Sequence, residues 1–174
     1  MKSYEIHRKS PLKEIKISII TVSTSRYLKS KSKKNIKDIS GETISNLVNK
    51  SDYEIISKKV IDDNIEMIRM ETLRSIYDEN ADVVIISGGT GISIRDVTIE
   101  SVKPLFDKEL DGFGDIFRNI SFEKIGPPAH LSRSIAGIIN KHLVYCLPGS
   151  PQAVETALEI ILPEIPHAIY ICRN

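Results

Sequence analysis

The run Ser87-Gly88-Gly89-Thr90-Gly91 follows a short apolar segment and has the composition of a loop that binds an anion. Its three glycines allow the backbone to approach an anion closely and present N–H donors that no Cβ obstructs, and Ser87 and Thr90 add hydroxyl groups. The run lacks the lysine of a P-loop and the spacing of a dinucleotide-binding fingerprint, so neither motif applies. We therefore predict that these residues bind a phosphate group; the alternative is a tight strand-to-helix turn without a ligand.

Arg95 and Asp96 follow the glycine-rich run, and together they favour a phosphorylated ligand held with a metal ion. The Arg95 guanidinium can bind a phosphate through two hydrogen bonds. A carboxylate beside phosphates is unfavourable unless a divalent cation lies between them, and Mg²⁺ prefers one or two carboxylates together with substrate phosphates. Asp96 is therefore a candidate Mg²⁺ ligand; alternatively, it pairs with Arg95 or caps the helix that begins near Thr98.

Other predicted strands also end in residues that could bind a ligand. Asp63 follows the second strand as a candidate second carboxylate of the metal site, unless it simply caps the next helix. Hydroxyl-bearing and turn-forming residues follow two further strands: Ser23 and Ser25 after the first, and Pro148, Gly149 and Ser150 after a later one. Because ligands of open α/β sheets bind at the carboxyl ends of the strands, we expect these residues to share one edge of the sheet. Their number suggests two phosphorylated ligands rather than one.

Apolar periodicity in the first half of the chain predicts the elements that position these residues. The predicted strands are 15–22, 53–61 and 81–86, one helix begins at its N-cap Ser40, and another covers 65–77. The strand 81–86 is continuously apolar, which is typical of a parallel strand covered on both faces. This alternation predicts an α/β fold with three layers and a doubly wound, mostly parallel sheet.

The second half of the chain is predicted to complete the same sheet. A helix from residue 97 should end or kink at Pro104, since proline disrupts a helix interior. The remaining predicted elements are a helix over 111–122, a loop over 126–128, a small hairpin of strands 134–140 and 142–147, a helix that Ser150 caps before Pro151, and a helix over 163–172. In the last helix, Ile165, Ile169 and Tyr170 could carry a contact between subunits.

Two segments lack the periodic apolar residues that indicate a packed helix or strand. Residues 1–14 are polar and could form a flexible arm. Residues 26–37, which we call the basic segment, carry six basic side chains and no acidic one. This composition predicts a mobile, solvated loop; alternatively, the basic segment reaches over bound phosphates.

The overall composition excludes several classes of protein. The chain has 174 residues, enough for one domain spanning 1–174, and its net charge of +1 with no tryptophan gives no case for a nucleic-acid partner. It shows no signal peptide and no apolar run of membrane-span length, so we expect a cytoplasmic protein without a membrane partner. Cys146 and Cys172 form no disulfide framework, and Cys146 lies in an apolar run where burial is expected. The four histidines show no metal-ligand spacing.

Taken together, these motifs resemble the MoaB/MogA family of molybdenum cofactor biosynthesis proteins, which is related to the G domain of gephyrin. The resemblance covers nearly the whole chain from about residue 15, and the length is closer to the MoaB branch. The matching motifs are Asp38-Ile39-Ser40-Gly41, Asp63, the run from Ser87 to Thr98, Gly112-Phe113-Gly114, Leu131-Ser132-Arg133 and Leu147-Pro148-Gly149-Ser150-Pro151.

This resemblance implies adenylylation of molybdopterin, in which the terminal phosphate of molybdopterin attacks the α-phosphate of Mg-ATP and releases pyrophosphate. It implies Mg²⁺ as cofactor, ATP as co-substrate and a homo-oligomer (trimer or hexamer). Asp63 and Asp96 match the family's two important aspartates, as metal and phosphate-positioning groups. The alternative within the same pathway is a non-catalytic molybdopterin-binding or scaffold protein. A nucleotide hydrolase is less favoured, because no residue is suited to activate water.

Overall fold

The computed structural model describes residues 14–32 and 37–174. The predicted arm, apart from Glu14, and residues 33–36 of the basic segment lie outside this range. No helix of the described residues is long and apolar enough to cross a membrane.

The described strands form one sheet in which the functionally important ends all point the same way. The strands are β1 (Lys16–Val22), β2 (Glu54–Ile61), β3 (Val83–Ser87), β4 (Lys108–Glu109), β5 (Ile135–Ile139) and β6 (His142–Leu147). Their order is β2-β1-β3-β6-β5-β4, with β1, β2, β3 and β6 parallel and with antiparallel pairing of β5 to β6 and of β4 to β5. The predicted α/β fold with a doubly wound, mostly parallel sheet is confirmed.

Helices cover both faces of the sheet, which gives the three predicted layers. They are α1 (Thr24–Lys31), α2 (Ile39–Asn49), α3 (Ile65–Tyr77), α4 (Thr98–Val102), α5 (Asp111–Ile125), α6 (Pro151–Ile161) and α7 (Ile165–Arg173). Side chains of α2, α5, α6 and α7 pack on one face, and those of α3 and α4 pack on the other. Every residue of β3 is buried, so the central strand carries apolar side chains on both faces.

The predicted hairpin is confirmed at its turn. Asn140 and Lys141 join β5 to β6, and both have positive φ angles, 46° and 68°. Two consecutive positive φ angles are the backbone of the type I′ turn that suits a two-residue hairpin. The edge strand β4 was not predicted, because a strand of two residues is too short to show an alternation of apolar and polar side chains.

One helix start differs from the sequence prediction, and another agrees with it. Asp38, not Ser40, is the N-cap of α2; its carboxylate accepts the Gly41 N–H at 3.1 Å. Ser40 lies inside α2 and donates a hydrogen bond to the Gly149 carbonyl at 2.6 Å. Ser150 caps α6 as predicted, with Pro151 in the first helical position.

The described part of the basic segment contains a helix instead of the predicted loop. Ser23 caps α1, which runs from Thr24 to Lys31 and buries none of its residues. A helix without a buried face has no apolar stripe, and periodicity therefore could not reveal it. The predicted loop at 126–128 is also partly helical: Gly126, at φ 69°, ends α5, and a 3₁₀-helix follows over Pro127–Leu131.

The last two helical predictions have different outcomes. Pro104 lies in the 3₁₀-helix Lys103–Leu105, so the helix from residue 97 does end there as α4. Ile165 and Ile169, however, are fully buried in the core of their own chain. Their predicted role in a subunit contact is wrong, because the α7 face that carries them packs on the sheet.

Candidate functional site

A pocket of about 530 Å³ lies at the carboxyl ends of the four parallel strands, where α/β sheets bind ligands. Each of β1, β2, β3 and β6 contributes residues that follow it directly. The predicted site residues that line the pocket are Ser23, Asp63, Gly88, Gly89, Thr90, Gly91, Asp96, Pro148, Gly149 and Ser150. The strand ends therefore converge as the sequence predicts.

The glycine-rich loop has a backbone path that excludes side chains. Gly88 and Gly89 have φ angles of 99° and 62°. A Cβ on Gly88 would lie 2.3 Å from the Val22 carbonyl oxygen, and one on Gly89 would lie 2.4 Å from Thr98 Oγ1. Thr98 holds the loop in place, because its hydroxyl donates to the Gly88 carbonyl at 2.8 Å and its N–H donates to the Gly89 carbonyl at 2.9 Å.

Asp63 is oriented by a contact that sequence reasoning did not anticipate. Its Oδ2 accepts hydrogen bonds from the Thr24 N–H at 2.9 Å and the Thr24 hydroxyl at 3.1 Å. Its Oδ1 faces the glycine-rich loop, 2.8 Å from where a Gly89 Cβ would lie. The alternative of a helix cap is wrong, because Asn64 is the residue that caps α3.

Asp96 also lines the pocket. In the sequence it follows the glycine-rich run, whereas Asp63 precedes it. Its Oδ2 accepts the Ser93 N–H at 3.0 Å, which closes a tight turn over residues 93–96. Among the described residues its hydrogen-bond partners are Ser93 and Arg133, it forms no ion pair with Arg95, and α4 has no side-chain cap. Both alternatives considered for Asp96 are therefore wrong.

Three predicted site residues do not line the pocket. Arg95 is exposed outside it, and Ser25 lies outside it within hydrogen-bond distance of the Ser23 hydroxyl, at 3.3 Å. Ser87 is fully buried beneath the loop, and its hydroxyl has no hydrogen-bond partner among the described residues. Their positions after the first strand, or in or beside the glycine-rich run, predicted these residues for the site, but they do not line the pocket.

Arg26, and not the predicted Arg95, is the arginine that lines the pocket. It is the only cationic side chain among the described residues that line the pocket, and its guanidinium lies 3.8 Å from the Asp38 carboxylate. Asp38 is itself held by the hydroxyl of Thr21 at 2.8 Å. The sequence feature that indicates Arg26 is its position in the first turn after β1, at the ligand-binding edge of the sheet.

One wall of the pocket is apolar and was not predicted. It is formed by α5 and the 3₁₀-helix that follows it, and its members are Phe117, Ile125, Pro128, Ala129 and Leu131. Ile125 and Leu131 remain half exposed, with 55% and 45% of their surface accessible. An apolar wall beside a polar loop suits a ligand with a planar ring at one end and phosphate at the other.

The donor set of the pocket fits Mg²⁺. Asp63 Oδ1 and Asp96 Oδ1 accept no hydrogen bond from the described residues, so each carboxylate retains an oxygen for a cation. The described residues contain no cluster of three His, Cys, Asp or Glu side chains that could hold a metal by itself. Two carboxylates match an ion whose remaining ligands are water and substrate phosphates.

Known proteins with the same sequence pattern and fold identify the family. The model of a family described as "Probable molybdopterin binding domain" matches residues 18–167. Molybdenum cofactor biosynthesis protein B of Bacillus cereus is 40% identical over 166 residues, which cover 94% of each chain. Molybdopterin adenylyltransferase of Pyrococcus furiosus is 43% identical in an alignment of 176 positions that covers 98% of each chain.

A solved structure gives the same result for the fold. The tungsten cofactor synthesizing protein MoaB from Pyrococcus furiosus superposes with a TM-score of 0.83 at 40% identity, and the alignment covers 95% of this chain and 100% of that chain. Sequence similarity, fold and the residues at the strand ends all agree: the chain belongs to the MoaB/MogA family of molybdenum cofactor biosynthesis proteins.

Proposed function

We propose that this protein adenylylates molybdopterin. An oxygen of the terminal phosphate of molybdopterin forms a bond to the α-phosphorus of ATP, while the bond to the leaving pyrophosphate breaks. The observation that carries the proposal is the convergence, in one pocket, of a glycine-rich loop, one arginine and two carboxylates. Relatives at 43% and 41% identity, from Pyrococcus furiosus and Methanocaldococcus jannaschii, are named molybdopterin adenylyltransferase and probable molybdopterin adenylyltransferase, which supports it.

The proposed reaction matches what the pocket contains. The attacking phosphate is already an anion, so no general base is needed, and none of the described residues that line the pocket is a histidine or cysteine. Rate enhancement must then come from alignment of the two phosphates and from neutralisation of their charge.

The pocket residues have distinct proposed roles. The backbone N–H groups of the glycine-rich loop bind the molybdopterin phosphate, and the Arg26 guanidinium pairs with a phosphate of either substrate. The apolar wall packs against a planar ring, and Ser23 and the segment 148–150 complete the walls of the pocket.

Asp63 and Asp96 would hold Mg²⁺, which neutralises the charge of the ATP phosphates when it is bound. This role also explains why two carboxylates lie in a pocket for anions. Without a divalent cation, their negative charge would repel the substrates, and Arg26 alone does not compensate for it.

The direct test incubates the purified full chain with molybdopterin and Mg-ATP and measures adenylylated molybdopterin and pyrophosphate. We expect both products in equal amounts, and none when EDTA replaces Mg²⁺ or when the bridging α,β-oxygen of ATP is replaced by a methylene group. Tight molybdopterin binding without any product would overturn the proposal in favour of the non-catalytic scaffold.

The assembly and location of the protein belong to the same proposal. We expect a cytoplasmic homo-oligomer, either a trimer or a hexamer. Light scattering coupled to size-exclusion chromatography distinguishes these states from a monomer of 19.5 kDa.

A further inference from the structure

Arg133 connects the two ends of the loop that carries Asp96. This arginine precedes β5, and its Nε–H donates to the Thr90 carbonyl at 3.3 Å. Its Nη2–H donates to the Asp96 carbonyl at 3.3 Å. Residues 91–95 lie between these two carbonyls and include Ile94, which is 96% exposed. One guanidinium therefore bridges the start and the end of an otherwise exposed segment.

Glu100 holds the same guanidinium from α4. Its two carboxylate oxygens accept from Arg133 Nη1 at 2.5 Å and from Nη2 at 3.2 Å, which is a bidentate pair. The hydrogen bond from Arg133 also keeps the pKa of Glu100 below its ordinary value, so the pair is charged at neutral pH. The Arg133 side chain is 33% exposed, and Glu100 is its ion-pair partner among the described residues.

Among the described residues, Arg133 is the one residue outside the turn 93–96 that forms a hydrogen bond to Asp96. Within the turn, the Asp96 N–H donates to the Ser93 carbonyl at 2.9 Å and the Asp96 carboxylate accepts the Ser93 N–H at 3.0 Å. These bonds hold the shape of the turn. Because both partners belong to the turn, they do not fix its position relative to the rest of the protein. Thr98, two residues after Asp96, anchors the end of the loop to Gly88 and Gly89, but among the described residues it forms no hydrogen bond to Asp96 itself.

We propose that Arg133, oriented by Glu100, is a positioning residue that sets the place of the Asp96 carboxylate relative to Asp63. This inference rests on the proposed function, in which both carboxylates hold Mg²⁺. Arg133 does not line the pocket, so it acts through the loop and not on the substrate. Residues that orient a metal ligand commonly matter almost as much as the ligand itself.

The geometry distinguishes this role from a simple need for positive charge. Arg133 contacts Thr90, Asp96 and Glu100 through three nitrogens of one plane. A lysine has a single ammonium group and cannot reproduce this fork, although it keeps the charge. Arg133→Lys should therefore behave like Arg133→Gln.

Enzyme kinetics provide the first test. For Arg133→Gln and Arg133→Lys we expect the Mg²⁺ concentration for half-maximal activity to rise about tenfold, with the KM for molybdopterin unchanged. Glu100→Gln should show the same change in smaller degree. Arg118→Gln is the matched control, because Arg118 also pairs with a carboxylate, that of Asp115 at 2.7 Å, but lies outside the pocket. In an Asp96→Asn background, Arg133→Gln should cause little further loss, since both changes act on one group.

Hydrogen exchange provides a test that does not depend on activity. In the protein without substrates, we expect the amides of residues 90–97 to exchange faster in both Arg133 variants and unchanged in Arg118→Gln. If the parent protein adenylylates nothing, the proposed function fails while this measurement still decides the role of Arg133. Unchanged exchange and unchanged Mg²⁺ dependence in Arg133→Gln would overturn the inference. It would also be overturned by full rescue with lysine, or by equal losses for every substrate together with a lower unfolding temperature.

Discussion

Asp63 accepts two hydrogen bonds from Thr24 through the same carboxylate oxygen, from the backbone N–H at 2.9 Å and from the hydroxyl at 3.1 Å. This contact joins the end of β2 to the first residue of α1. It holds the carboxylate in one orientation and leaves Oδ1 beside the glycine-rich loop. Thr24, 39 positions before Asp63, thus orients a carboxylate that we propose binds Mg²⁺ and that the sequence indicates only as one of three consecutive polar residues.

Asp63→Asn should remove the charge of this group and keep its contacts. The amide oxygen of the substituted side chain can still accept from Thr24, so the local structure should persist while Mg²⁺ binding weakens. We expect adenylylation to fall about a hundredfold or more, because charge neutralisation in the transition state is lost. The measurement is the initial rate of pyrophosphate release, together with the unfolding temperature, which should not change.

Asp62→Asn is the control for this prediction. Asp62 precedes Asp63 and accepts the Asp63 N–H at 2.9 Å, but it does not line the pocket. Its substitution should leave the rate nearly unchanged. Equal effects of the two substitutions would contradict the assignment of Asp63 as a metal ligand.

Arg26 and Arg95 offer a direct comparison between the structure and the sequence pattern. Arg26→Gln should raise the KM for a phosphorylated substrate about tenfold or more, since a charge-assisted hydrogen bond to phosphate is lost. Arg95→Gln should have little effect, because Arg95 is exposed and does not line the pocket. Steady-state kinetics with each substrate varied in turn measures both. The reverse result would restore Arg95 as the phosphate-binding arginine.

Gly89→Ala should damage the pocket in two ways. Its φ of 62° is unfavourable for alanine, and the new methyl group would lie 2.4 Å from Thr98 Oγ1 and 2.8 Å from Asp63 Oδ1. We expect weaker binding of molybdopterin and a free energy of unfolding lower by about 1 kcal/mol or more. Titration calorimetry and urea unfolding measure the two effects.

Gly112→Ala is the matched control for that substitution. Gly112 lies in the first turn of α5, and nothing lies within 4 Å of the place that its Cβ would occupy. Alanine has the higher helix propensity, so this variant should keep its ligand affinity and gain up to about 1 kcal/mol of stability. Equal damage from both substitutions would show that the loop does not specifically require glycine.

The acid stability of the protein should depend on Glu79. Burial would raise the pKa of its carboxyl, but hydrogen bonds from Lys59 at 2.6 Å and from Ser57 at 2.8 Å outweigh burial and hold it below the ordinary 4.5. A depressed carboxyl pKa in the folded state contributes stability above the unfolded value, and this contribution is lost as pH falls through the folded value. The free energy of unfolding should therefore decrease less steeply below about pH 5 in Glu79→Gln than in the parent protein.

Urea unfolding at a series of pH values tests this dependence. Glu155→Gln, which replaces an exposed carboxylate on α6, serves as the control and should follow the parent curve. If Glu79→Gln also follows the parent curve, the Lys59–Glu79 ion pair contributes nothing measurable to acid stability.

Two helix starts illustrate how far local patterns determine the structure. Ser150 before Pro151 is the only good cap at its position, and it does cap α6. Near the start of α2, Asp38 and Ser40 are both good capping residues, two positions apart. Asp38 is selected because its carboxylate also accepts from Thr21 on β1, a contact that the packed structure creates.

The sequence by itself determined the class of fold and predicted the chemistry of the loop. Alternating apolar segments predict the parallel sheet, and the glycines at 88 and 89 predict a backbone that binds an anion, since period and residue type are local properties. The positions of Asp63, Asp96 and the segment 148–150 follow from the rule that ligands bind where parallel strands end.

Only the tertiary structure decided which side chains enter the pocket. It places Arg26 inside and Arg95 outside, it supplies the apolar wall from α5, and it links Arg133 to Thr90, 43 positions away. These arrangements depend on crossovers that bring distant segments to one edge of the sheet. Residue type specifies what a side chain can bind, but its direction depends on packing between segments that are not neighbours in the chain.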